Sequence, residues 1–137
     1  MAISVSYDNR HGWLSRNTNY SNRPYSLIDV SHSGSGAVSL WGLIDTGADY
    51  LCLGDAVAHS LGINLAHCTH YVNITTALGS KSALPVVNIH MAMEGYAADV
   101  DAIFDSVFSK TPLIGRCALL EVLKFGVDDK GWLFAQA

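Results

Sequence analysis

Leu40-Trp41-Gly42-Leu43-Ile44 runs directly into Asp45-Thr46-Gly47-Ala48-Asp49, and this junction constrains the chain more than any other stretch. The continuous apolar run predicts a strand over about 37–44, buried on both faces near its end. A carboxylate placed straight after such a strand is costly unless hydrogen bonds or a reaction justify it. Thr46 and Gly47 demand a tight turn, and glycine lets another backbone come close. Asp45 is therefore expected to point out of the strand end with turn amides around it. Local chemistry leaves two readings open: a turn former of the Asx type, or a reactive carboxylate.

The remaining sequence reads as mostly β. Alternation in Tyr25–Ser31 predicts a strand, His32–Gly36 a turn, and Thr69–Ala77 and Ser82–Met93 two strands around a Gly79-Ser80 turn. Tyr96–Phe104 alternates into another strand, and Gly126–Phe134 closes the chain as a hairpin or final strand. Two helices are expected. A short one opens at Gly54-Asp55 and stops at Gly62, with Asp55 as N-cap. A slightly longer one covers Cys117–Phe125, where Leu119, Val122 and Leu123 form an i, i+3, i+4 face. Residues 1–23 carry Asn, Ser and Arg without periodicity and are expected to be a polar arm, leaving 24–137 as the folded domain.

At 137 residues, one independent core is affordable. Half of the residues are apolar and 15% are charged, which excludes a disordered chain. Eight Lys and Arg against twelve Asp and Glu give net −4, so neither nucleic acid nor a basic membrane surface is an expected partner. No apolar run reaches the roughly 18 residues of a membrane span. The start turns polar before a signal-peptide core develops. Three cysteines, an odd number without close pairing, point to a reducing interior and hence the cytoplasm.

Other candidate chemistry is thin. His67-Cys68-x-His70 packs three ligands into four residues, which seldom face one ion, and no distant set completes four. No metal and no cofactor is expected. Ser33-Gly34-Ser35-Gly36 lacks the lysine of a phosphate loop and reads as a hairpin turn. Asp99, Asp101 and Asp105 could form a row of metal ligands, but alternating exposed positions on a strand explain the first two more simply. Peptide hydrolysis by activated water needs an acid as well as a base, and two carboxylates sharing a proton supply both. Asp49 lies four residues past Asp45 across a turn and is poorly placed as the partner. A second copy of Asp45, brought up by a twofold axis, would serve.

Leu43-Ile44-Asp45-Thr46-Gly47-Ala48-Asp49 resembles the catalytic loop of the retropepsin-like aspartic proteases, the family of the retroviral proteases and their bacterial and cellular relatives. Pro112-Leu113-Ile114-Gly115-Arg116 is similar to that family's second signature, two apolar residues followed by Gly-Arg. The resemblance covers roughly residues 25–127. It implies a closed, mostly antiparallel barrel of the acid-protease type, assembled as a homodimer that hydrolyses peptide bonds. By position, Asp45 resembles the catalytic aspartate and Thr46 the residue whose hydroxyl braces the partner loop. Gly47 resembles the position whose carbonyl receives substrate backbone, with Ala48 packing beneath. Asp49 is similar to the carboxylate that binds substrate backbone, and Arg116 to the arginine that holds it. A bidentate fork suits that task. The hairpin around 75–82 resembles the flap, with Gly79 near its tip. Thr75–Lys81 holds one glycine where retroviral flaps hold several, which keeps an alternative open: a catalytically idle domain of this type used for protein interaction or dimerisation.

Overall fold

The computed structural model describes residues 2–6, 25–75, 79, 81–93, 96–118, 123–127 and 131–136. Among these residues ten strands run in chain order: β1 (Ala2–Ser6), β2 (Tyr25–Ser31), β3 (Val38–Ile44), β4 (Leu51–Leu53), β5 (Tyr71–Thr75), β6 (Lys81–Met93), β7 (Tyr96–Phe104), β8 (Leu113–Ile114), β9 (Leu123–Val127) and β10 (Gly131–Gln136). A helix, α1 (Asp55–Ser60), follows β4, and 3-10 turns cover Leu65–His67 and Ser106–Phe108. Among the described residues, no helix is long and apolar enough to cross a membrane.

Period-two patterning builds the core. Along β6, Ile89, Met91 and Met93 are buried while Asn88 and His90 are exposed. The antiparallel register sets Ile89 against Val100 and His90 against Asp99, so β7 repeats the alternation. The outward face is stitched by polar pairs: Asn88 Nδ2 donates to Asp101 at 3.1 Å, and His90 Nδ1 meets Asp99 at 3.0 Å. The inward face joins Ile28, Val30, Leu51, Leu53, Phe104 and Ile114 in one apolar cluster. α1 adds Ala58, and Leu61 just beyond its end is buried as well. Asp55 is the first residue of α1 rather than its N-cap, a place held by Gly54. A carboxylate in the first turn still favours the positive end of the helix.

The architecture corrects the expected barrel. Strands divide between two sheets, β1-β10-β9 and β2-β3-β8-β4-β7-β6-β5, with a further three-residue pairing of β2 to β6. The larger sheet is mixed rather than antiparallel: β3 runs parallel to β8, and β4 runs parallel to β7. The C-terminal helix expected over Cys117–Phe125 is also absent from the described part of that stretch. Residues 116–118 form a turn, 119–122 lie outside the described residues, and Leu123–Val127 is strand β9, paired with β10. Helical spacing of three leucine- and valine-type side chains is a weak prior. Phe125 and Val127 favour strand, Gly126 disfavours helix, and a five-residue antiparallel ladder decides the outcome. Within the expected N-terminal arm, Ala2–Ser6 is strand β1 on β10, and residues 7–24 lie outside the described residues.

Candidate active site

β3 delivers Asp45 to the end of the larger sheet. Its last two residues pair with β8, Leu43 opposite Leu113 and Ile44 opposite Ile114. The main-chain N–H of Leu43 donates to Pro112 at 2.8 Å, and that of Asp45 to Ile114 at 3.1 Å. The chain then turns, with the N–H of Ala48 donating back to the Asp45 carbonyl at 3.2 Å. Inside this turn the Gly47 N–H donates to Asp45 Oδ1 at 2.8 Å. A Cβ at Gly47 would stand 3.2 Å from that oxygen, so the missing side chain leaves the carboxylate its place. Asp45 is half-buried, Thr46 and Gly47 are exposed, and Ala48 packs on an apolar cluster described below. The Asx-type geometry and an outward carboxylate thus coexist.

Arg116 and Asp49, 67 residues apart, form an ion pair through Arg116 Nη2 and Asp49 Oδ1. Backbone bonds set the pair: Arg116 N–H donates to Ala48 at 2.8 Å and Cys117 N–H to Asp49 at 3.0 Å. The side chains are 52% and 60% exposed, which places the pair in the range of surface ion pairs. Arg116→Ala is therefore expected to lower stability by at most about 1 kcal/mol, because water rehydrates the carboxylate that remains. The midpoint of urea unfolding checks this. A loss of several kcal/mol would show that the pair is shielded in the assembled protein.

Gly79, at φ +81°, stands between β5 and β6, whose register closes at Thr75 opposite Lys81. The other residues of that tip, 76–78 and 80, lie outside the described residues. Beneath the hairpin, Cys52, Leu84 and Ile103 are buried and Tyr50, Val72, Ile74 and Val86 half-buried around them. This second cluster joins the 45–49 loop to the hairpin with apolar surface. Burial pushes the Cys52 thiol up to about 12, and the charges of Asp45, Cys117 and Asp49 add to the shift. Cys52 is therefore a protonated thiol at neutral pH and no nucleophile.

The weaker sequence candidates have local partners. His67 meets Asn64 at 3.3 Å and His70 meets Thr69 at 3.1 Å. Asp105 accepts the Val107 N–H at 2.9 Å, capping the turn at Ser106–Phe108. Two further residues shape the site: Gly115, part of the Leu113–Arg116 signature but given no role of its own, and Cys117. Gly115 lets Tyr50 and Ala48 carbonyls approach so closely that a Cβ there would stand 2.2 Å and 2.7 Å from them. Cys117 ties to both Asp49 and β7, with its thiol donating to the Asp101 carbonyl at 3.5 Å. A glycine following the apolar pair Leu113-Ile114 was the available signal for the first; nothing in the sequence pointed to the second.

Comparison with known proteins agrees with this geometry. The family model described as aspartyl protease matches residues 28–111, well over half of the chain, and ends before the Leu113–Arg116 signature. No curated protein matches the sequence. Among solved structures, a retropepsin-like aspartic protease from Rickettsia conorii shares the fold with a TM-score of 0.68. That likeness covers 98% of this chain and 90% of the other, at 16% identity, and so extends through Arg116. The matched segment contains Asp45 and its turn, and the shared fold extends past it: the chain belongs to the aspartyl protease family and has a retropepsin-like fold.

Proposed function

We propose that this protein is an aspartic endopeptidase whose active site assembles at a twofold axis from two copies of the chain. The observation that carries this reading is Asp45, a carboxylate held by the Gly47 amide at the end of a core strand, in an exposed turn. One such carboxylate per chain makes half of an acid–base pair. In the assembled site Asp45 of one chain, ionised, takes a proton from water, and Asp45 of the partner subunit, protonated, donates to the scissile carbonyl. The proton then reaches the leaving nitrogen, with no covalent intermediate. The mechanism needs one proton on the pair, and activity is expected to be highest under acidic conditions.

The supporting residues fit the same reading. Thr46, Gly47 and Asp49 are exposed, which supports a reading in which Thr46 meets a partner loop while the Gly47 carbonyl and Asp49 carboxylate receive substrate backbone. The half-buried Tyr50, Ile74 and Val86, which pack in one cluster with Ala48 of the Asp45 turn, favour peptides with apolar side chains. Three reduced cysteines accord with a cytoplasmic setting.

The test combines assembly with activity. Sedimentation over a dilution series is expected to show a concentration-dependent dimer, and cleavage of a diverse peptide library at pH 4–7 to fall faster than linearly once that dimer dissociates. A strict monomer with full activity per chain would refute the shared site. A stable dimer that cuts nothing would favour the idle interaction domain.

A further inference from the structure

We propose that Cys117 is a positioning residue, anchoring the Asp49–Arg116 pair to β7 through its thiol. Arg116 and Cys117 lie in a turn that follows β8 and belongs to no strand. Two main-chain bonds lash this turn to the 45–49 loop, Arg116 N–H to Ala48 at 2.8 Å and Cys117 N–H to Asp49 at 3.0 Å. Those bonds join one turn to another. The Cys117 thiol adds a link to the sheet, donating to the Asp101 carbonyl at 3.5 Å.

Asp101 is a firm point to hold. It sits in β7 opposite Asn88 of β6, and its carboxylate accepts from Asn88 Nδ2 at 3.1 Å. On its other side the β4 ladder begins one residue later, with Leu51 opposite Ala102. The thiol thus donates to a carbonyl just outside that ladder. A sulfur reaches 3.5 Å as a weak donor, so its loss loosens the turn without unfolding the protein.

The activity arm of the test rests on the proposed peptidase reading; the exchange arm does not. Cys117→Val keeps most of the volume and removes the donor, whereas Cys117→Ser restores one. Amide hydrogen exchange at Arg116 and at residue 117 is expected to speed up about two- to fivefold in Cys117→Val and to return towards wild type in Cys117→Ser. Peptide KM is expected to rise by a similar factor with kcat nearly unchanged, because Asp49 binds substrate and does not react. If the valine overpacks and the variant fails to fold, Cys117→Ala removes the donor with less bulk. Wild-type exchange rates in the donor-free variant, or a serine variant as loose as the valine one, would overturn the proposal. If the wild type cleaves no peptide, the peptidase reading fails and the exchange rates still decide the role of Cys117.

Discussion

Asp45→Asn is expected to lower peptide cleavage by about a thousandfold or more while leaving the fold and the dimer in place. The asparagine side chain is nearly isosteric and keeps an Oδ1 acceptor for the Gly47 N–H, which reaches Asp45 at 2.8 Å. It can neither take a proton from water nor share one with a second carboxylate, and general acid–base catalysis of that kind is worth roughly 10²–10⁴ in rate. Two close carboxylates repel, so the variant dimer is expected to dissociate no more readily than wild type and to melt at the same temperature or higher. The measurement pairs kcat/KM on an unstructured peptide with thermal melts and sedimentation. Equal cleavage by wild type and variant would remove Asp45 from the mechanism. Loss of cleavage together with loss of the dimer would instead make Asp45 a residue of assembly.

How much of this was legible in the sequence depended on how local each feature is. β2, β6 and β7 follow from alternation within a few residues and β3 from a continuous apolar run, and each begins and ends within a residue of its expected bounds. The Asp45 turn is equally local, since its carboxylate bonds only two residues ahead. The parallel pairings of β3 with β8 and of β4 with β7 join segments some 50 to 70 residues apart, and alternation does not encode which strand a strand will meet. Asp49 and Arg116 came together in sequence reasoning only through two family signatures, because an exposed ion pair leaves no periodic trace. Leu119, Val122 and Leu123 misled for the opposite reason. Helical spacing is visible within one turn, while the β10 partner that makes Leu123–Val127 a strand is not. Burial of Cys52 beneath the hairpin, and with it the inertness of its thiol, likewise required the folded sheet.

Gly115→Ala is expected to be the most damaging added methyl group among the glycines at positions 34–115 that the structure describes. Backbone preference alone points the other way. Gly115 is not among the described glycines with positive φ, and alanine at such a position ordinarily stabilises by roughly 0.4–1 kcal/mol through the unfolded chain. Space decides the sign here. The new Cβ would stand 2.2 Å from the Tyr50 carbonyl oxygen, 2.7 Å from that of Ala48 and 2.9 Å from the Tyr50 carbonyl carbon, all main-chain atoms with no rotamer to escape into. Relief requires the 48–50 backbone to part from the 115–117 segment. That movement breaks the bonds from Arg116 to Ala48 and from Cys117 to Asp49, and strains the one from Asp45 to Ile114. Overpacking together with lost main-chain hydrogen bonds is expected to cost on the order of 3 kcal/mol or more, and cleavage is lost with the loop. Gly79→Ala is the control: its φ is +81° but no atom lies within 4 Å of the added methyl, so it costs only the left-handed strain of about 1–2 kcal/mol. Urea unfolding of both variants separates the two causes. If Gly115→Ala unfolds at the wild-type midpoint or above, the two segments are not packed as closely as this structure places them, and the joint that carries Asp45 to Arg116 is looser than argued.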